Sequence, residues 1–283
     1  MLVSFKEILQ DAYQGHYAVG AFNCLSLEHV LGVIEAAEEL RSPVILQLAE
    51  VQFPYSPLEL MGPMFLDRAT RAGVPVAVHL DHGQSFETCV KAVKIGFNSV
   101  MFDGACLPFE DNVRETSAVA RMAKAVGVDV EAELGKVGNT SFGTGDSEDH
   151  PDVFTDVEES AKFVELTGVD ALAIAIGNLH GRYIATPKLN IQRLKEISAR
   201  NNMPLVLHGG SGTSDEDFKA CAHNGISKIN VATSLQMAVT AKIQEYLATA
   251  QNPDYITMKH VMKDATKEAV IRHMLLFESD GKA

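Results

Sequence analysis

Residues 157–181 read VEESAKFVELTGVDALAIAIGNLHG. Val157–Leu166 has the apolar spacing of an amphipathic helix. Gly168 follows, the residue favoured where a helix ends in the left-handed conformation. Ala171–Ile176 is then an unbroken apolar run, short enough for a strand buried on both faces. It leads straight into a polar, glycine-bearing stretch, Gly177-Asn178-Leu179-His180-Gly181. Helix, glycine, buried strand and polar loop are the parts of one β/α unit.

The same order recurs along the chain. The strand candidates are Tyr17–Phe22, Val44–Leu48, Val76–Leu80, Ser99–Phe102, Asp129–Leu134, Ala171–Ile176, Leu205–Leu207 and Lys228–Val231. Amphipathic segments such as Leu27–Leu40 and Asn112–Val126 lie between them. Gly73, Gly96, Gly127, Gly168 and Gly225 each stand between a helical pattern and the next strand. Eight strands in unbroken alternation over 283 residues predict an α/β fold, a single (β/α)8 TIM barrel with 1–283 as one domain. An N-terminal helix in MLVSFKEILQDAY and a C-terminal helical extension from about Met258 to Phe277 flank it. A doubly wound sheet would want a glycine-rich phosphate turn after its first strand. Here that turn reads Asn23-Cys24-Leu25-Ser26.

A composition 46% hydrophobic is ample for a packed core, and a formal net charge of −13 argues against nucleic acid or an anionic membrane as partner. Cys24, Cys89, Cys106 and Cys221 form no C-x-x-C pair and fit a reducing compartment. Lys6, Glu7 and Asp11 interrupt the apolar N-terminus, which is therefore not read as a signal peptide. No apolar run approaches the roughly 20 residues of a membrane span. The expected location is the cytoplasm and the expected partner a small molecule, with neither nucleic acid nor membrane.

Titratable residues collect where strands end: His79-Leu80-Asp81-His82, Asp103, Glu131-Ala132-Glu133, His180, His208 and Asn230. In a barrel these C-terminal ends form one mouth, where active sites sit. Histidines after strands three, six and seven suit a three-imidazole site for catalytic Zn²⁺. Strand alternation puts Asp81 on one face with His79 and puts His82 on the other unless the chain bends, so spacing leaves the ligand open between His79 and His82. Glu133 lies nearer the mouth than Glu131. Gly209, Gly210, Ser211 and Gly212, with Ala232 and Thr233 on the next loop, suit a backbone nest for one phosphate. No lysine stands at the mouth of strand six or seven, and Lys228 lies deep at the start of strand eight, so a Schiff-base mechanism has no obvious nucleophile. Between Leu134 and Asp156 runs a long Gly-, Ser- and Asp-rich loop of the kind that is usually functional.

Together LDH at 80–82, EAELG at 131–135, AIGNLHGxY at 175–183, LVLHGGSG at 205–212 and KINVAT at 228–233 resemble the class II, zinc-dependent ketose-bisphosphate aldolases, over essentially the whole chain. The SDGKA ending and the GNxHGxY form look most like a branch acting on other sugar phosphates. The resemblance implies Zn²⁺ on His82, His180 and His208, and Asp81 as acid/base on the C4 hydroxyl of a ketose. It implies a second metal position or ligand orientation at Asp103 and Glu133. Gly181, Gly209, Gly210, Ser211, Asn230, Ala232 and Thr233 would surround the dihydroxyacetone phosphate end, with Na⁺ or K⁺ on main-chain groups around Gly181, Gly209 and Ser211. Asp146, Glu148 and Asp149 are the candidates for a loop carboxylate.

The reaction so implied is reversible aldol cleavage to dihydroxyacetone phosphate and an aldehyde, zinc stabilising the enediolate, in a homodimer or homotetramer. Asn23, Gln47, Arg182 and Gln236 are candidates for the aldehyde end. Ala232 stands where fructose-bisphosphate enzymes usually carry Asp, Gln236 where many members carry a basic residue, and Ala49 where some carry a hydroxyl. These departures point away from a second substrate phosphate, and Arg182 suits a carboxylate instead. A zinc-dependent isomerase or epimerase, and a non-catalytic sugar-phosphate-binding barrel, are the alternatives.

Overall fold

The computed structural model describes the chain except residues 136–137, 140–153 and 181–187; of 138–139 and 179–180 only the backbone course is described. Eight parallel strands close into a barrel in chain order: β1 (Val19–Asn23), β2 (Val44–Ala49), β3 (Val76–Gly83), β4 (Ser99–Phe102), β5 (Asp129–Leu134), β6 (Ala171–Ile174), β7 (Leu205–Leu207) and β8 (Ile226–Val231). The helices are α1 (Phe5–Gly15), α2 (Leu27–Leu40), α3 (Leu58–Arg71), α4 (Phe86–Ile95), α5 (Phe109–Lys124), α6 (Val157–Thr167), α7 (Ile191–Asn201), α8 (Asp215–His223), α9 (Thr233–Thr249) and α10 (Tyr255–Leu276). The alternation read from the sequence is therefore the architecture found. Tyr17 and Ala18 are buried but stand outside β1, because the Ala18 amide donates to Phe277 O of the C-terminal extension at 3.0 Å.

Local chemistry sets the helix limits. Ser4, Ser26, Ser85, Asp156, Asn190, Ser214 and Asp254 each accept a backbone amide from the first turn of the helix they precede. α3 and α5 follow Pro57 and Pro108. At the other end Gly96 and Gly168 are left-handed caps, with φ of 115° and 67°.

Two apolar layers enclose the strands. Their outer faces, including Phe22, Leu46, Leu48, Val78 and Leu80, pack under the helices. Inside, small residues (Ala21, Ala77, Ala171, Ala173) pack with Val19, Ile45 and Val206 against Phe5, Ile8, Leu9 and Ala12 of α1, which plugs one end. Those alanines leave room for the polar side chains above them. α10 lies against α2, where a Cβ on Gly32 would come within 2.6 Å of Lys263 O. Lys259, Lys263 and Lys267, one turn apart, pair with Glu28, Glu35 and Glu39 across that contact. Among the described residues no helix is long and apolar enough to cross a membrane.

Candidate active site

The end of β3 decides which histidine reaches the mouth. His79 and Asp81 point inward, as alternation requires. His82 then adopts φ 45°, and the register of β3 against β4 shifts between Leu80 and Gly83. A left-handed residue with a Cβ costs about 1–2 kcal/mol. The bend turns His82 into the mouth, while His79 stays fully buried below, its ring stacked on Phe5 at 4.9 Å. His82 Nδ1 lies 2.8 Å from Asp103 Oδ2 at the end of β4, and His82 Nε2 lies 3.9 Å from Asp81 Oδ1. Burial works against charge on His82, but Asp81 and the Asp103 hydrogen bond raise its pKa all the same.

Asp81 is 3% exposed. Its Oδ2 accepts from Asn23 at 2.8 Å and its Oδ1 from Asn230 at 2.9 Å. Burial pushes its pKa up, but the His82, Lys228 and His208 charges and the Asn23 hydrogen bond outweigh that and hold it at about 2. The carboxylate is thus ionised and fixed by two neutral donors. Gln47 is fully buried and donates to Asn23 Oδ1 at 2.9 Å, so it supports Asn23 and does not line the pocket.

His208 follows β7, its ring 4.6 Å from that of His82 and steeply inclined to it. Its Nε2 lies 2.7 Å from Glu131 Oε1 and its Nδ1 3.2 Å from Glu133 Oε2. Burial opposes its charge, yet the hydrogen bonds to Glu131 and Glu133 push its pKa up to about 10. Donor atoms of Asp81, His82 and His208 lie within 4.8 Å of one another, as do those of His82, Asp103 and Glu133. Imidazole and carboxylate donors converging at that spacing fit a divalent ion of the zinc type. Leu179–His180 pairs with Gly138–Asn139, and Asn178 Nδ2 donates to His208 O at 3.0 Å, tying the segment before His180 to His208. The His180 side chain, Gly181, Arg182, Asp146, Glu148 and Asp149 lie outside the described residues.

Directly after His208, Gly209 and Gly212 take positive φ, 65° and 100°, and Ser211 Oγ accepts from the Ser234 amide at 3.0 Å, linking the loops after β7 and β8. Gly210 packs tightly, since a Cβ there would lie 3.2 Å from both Ile229 and Phe218. α9 starts at Thr233 behind Ala232, which has no side chain to cap it. Its N-terminal amides and positive dipole end therefore favour an anion. A pocket of about 150 Å³ joins these parts, lined by Asn23, Ala49, Val51, Gln52, Asp81, His82, Gly209, Ser211, Asn230, Ala232 and Thr233. No lysine or arginine stands among these described lining residues. Gln236, half-buried on the first turn of α9, is not among them either. Gln52 does line the pocket, and its Oε1 accepts from the Ala49 amide at 3.1 Å. Sequence reasoning passed it over; the only signal was its place just after β2.

A buried carboxylate, inward imidazoles and an anion-receptive helix end meet at the C-terminal mouth, where enzymes built on a (β/α)8 barrel carry their active sites. The family model of class-II fructose-bisphosphate aldolase matches residues 3–282, and the chain belongs to that family as an aldolase, a carbon–carbon lyase. It is 42% identical to a fructose-bisphosphate aldolase of Geobacillus stearothermophilus, covering 100% of this chain and 99% of that one. It is 39% identical to a sulfofructosephosphate aldolase of Alkalicoccus urumqiensis, covering 99% and 98%. Its structure matches that of the YdjI aldolase of Escherichia coli K12 with a TM-score of 0.90, 37% identity and full coverage of both chains.

Proposed function

We propose that this aldolase reversibly cleaves a ketose 1-phosphate to dihydroxyacetone phosphate and an aldehyde, with Asp81 as acid/base. The observation that carries this is the fixed, ionised Asp81 carboxylate beside His82 and His208. His82 and His208, with His180, would hold Zn²⁺, which when bound supplies an electrophile for the C2 carbonyl. Asp81 takes the proton of the C4 hydroxyl; that O–H pair becomes the aldehyde C=O as C3–C4 breaks, and the C3–C4 pair passes towards C2. In the synthetic direction Asp81 returns the proton. Asn23 and Asn230 hold its two oxygens, so hydrogen-bond reach to the hydroxyl is all it needs. Ser211, Gly209 and the start of α9 would bind the phosphate, fixing its distance from the imidazoles.

The names of the relatives, fructose-bisphosphate and sulfofructosephosphate aldolase, place a phosphorylated ketose in this family's range. In this chain the cation-free described lining, with Ala49, Gln52 and Ala232, favours an aldehyde without a second phosphate. The same reading takes 1–283 as one aldolase domain working as a homodimer or homotetramer. Exposed Leu247, Tyr255 and Ile256 around the α9–α10 turn offer apolar surface for such contacts.

The test offers a panel of aldehydes with dihydroxyacetone phosphate, with and without a chelator. Carbon–carbon bond formation abolished by the chelator and restored by Zn²⁺ is expected. Turnover unchanged by metal removal would sink the zinc reading. Cleavage of fructose or tagatose 1,6-bisphosphate with kcat/KM above about 10⁴ M⁻¹s⁻¹ would sink the reading of a singly phosphorylated substrate.

A further inference from the structure

Below the mouth, three titratable side chains that the acid–base and phosphate roles leave unused form one buried cluster. Glu131, Lys228 and His79 each have zero exposure. Lys228 Nζ lies 2.8 Å from Glu131 Oε2, and the other oxygen, Oε1, lies 2.7 Å from His208 Nε2. His79 Nε2 stands 3.4 Å from Glu131 Oε2, and its Nδ1 lies 2.9 Å from Ser99 Oγ. The cluster sits directly on the α1 plug through the Phe5–His79 stack.

Such a cluster is a poor way to stabilise a barrel. Desolvating two ions costs several kcal/mol each, and apolar replacements of buried pairs are often neutral or stabilising. The geometry gives it another use. A carboxylate only accepts, so Glu131 fixes the proton of His208 on Nε2. Nδ1 faces Glu133 at the longer distance of 3.2 Å, so it is the nitrogen that would give up its proton to a bound metal. Glu131 is reliable in this only if it stays ionised inside the protein. Burial favours a neutral carboxyl, and the Lys228 Nζ 2.8 Å from Oε2 is the opposite charge set against it. Burial also keeps His79 neutral, at about 3, so it adds no competing charge.

We infer that Lys228 and Glu131 act as one positioning pair: Lys228 is the fixed counter-charge of Glu131, and Glu131 sets the tautomer and aim of His208 towards a bound metal. The inference rests on the proposed zinc site. It also assigns Lys228 a task that is not nucleophilic, since its ammonium is committed to Glu131.

The test measures zinc affinity of the full chain by competition with a chromophoric chelator, beside thermal unfolding of the metal-free protein. The variants are Glu131→Gln, Lys228→Met and the apolar double Glu131→Leu/Lys228→Met. Each is expected to lose about 10–100-fold in zinc affinity, the range for lost outer-shell partners. The double is expected to fold at least as stably as the singles and still bind zinc as weakly as Glu131→Gln. A folded double with wild-type affinity would reduce the pair to a structural role and overturn the inference. Should no variant fold, ¹⁵N spectra of the zinc-loaded wild type decide: a proton on His208 Nε2 is expected, and one on Nδ1 overturns the inference. A wild type that binds no zinc at all would instead overturn the proposed function.

Discussion

His82 Nδ1 lies 2.8 Å from Asp103 Oδ2, a contact made where the end of β3 bends through the left-handed His82 at φ 45°. The carboxylate accepts at Nδ1, so the opposite nitrogen, Nε2, faces Asp81 and His208. The fold thus accepts local strain to aim one imidazole. His82→Gly and His82→Ala both remove the ring but differ in that strain. At ordinary positions Gly is less stable than Ala by about 0.5–1 kcal/mol. Here the order should reverse, with the Gly variant more stable by about 1 kcal/mol. Denaturant unfolding of the two metal-free variants checks it; Ala at least as stable as Gly would remove strain from the account.

Asp81 should dominate the chemistry. Asp81→Ala is expected to lower kcat by about 10²–10⁴-fold, the range for a positioned acid–base group. Asn230→Ala frees one carboxylate oxygen and should lower kcat more than it raises KM. Gln47→Ala acts only through Asn23 and should cost less than either. Steady-state kinetics with one ketose phosphate orders the three. A Gln47 variant as impaired as Asp81→Ala would contradict the roles given to both.

Zinc binding should depend on pH through His208. Its pKa is pushed up to about 10 from an ordinary 6.5, so the metal-free imidazole is protonated at neutral pH. This shift stabilises the metal-free fold fully below the ordinary value, and the contribution is lost as pH rises through about 10. Zinc must displace the Nδ1 proton, so affinity should rise with pH by about tenfold per unit for each proton released. Calorimetry in buffers of different ionisation enthalpy counts those protons. Release of none near neutral pH would contradict the charge assigned to His208.

The open end of the pocket predicts how specificity can be moved. Gln236, a candidate for the aldehyde end, sits on the first turn of α9, outside the pocket lining and without charge. Gln236→Arg should raise the ratio of kcat/KM for a ketose 1,6-bisphosphate over the matching 1-phosphate by about tenfold or more, the worth of one charge-assisted contact. A competition assay with both substrates reads that ratio directly. An unchanged ratio would place the distal phosphate elsewhere.

Periodicity made the barrel legible because eight buried strands and the amphipathic helices between them each leave a local pattern. Asp81 and His208 were legible for the same reason, as polar residues breaking apolar runs at strand ends. The choice between His79 and His82 was not, because it turns on one backbone torsion. Gln52 was hidden because it ends a single 3₁₀ turn, Glu50–Gln52, too short for any period to mark which side chain faces inward. The link of Lys228 to Glu131 joins β8 to β5 across the barrel. Ninety-odd residues of intervening chain separate the two, and no sequence pattern encodes that distance.

The α2–α10 contact, which lies beside β1, gives a last expectation. In a free helix, Gly→Ala is worth up to about 1 kcal/mol of added stability. At Gly32 the added Cβ would meet Lys263 O at 2.6 Å and the Thr266 side chain at 2.7 Å, so α10 must move. Backbone cannot rotate away as a side chain can, and overpacking of this kind costs about 1–3 kcal/mol. The lysine ladder would be stretched by the same shift, but it is partly exposed and weakly coupled. Gly32→Ala is therefore expected to lower Tm, while Lys267→Met, at the edge of the ladder, changes it little. Differential scanning calorimetry of both variants tests the pair. A raised Tm for Gly32→Ala would mean that helix propensity wins and that α10 is held less closely than this packing shows.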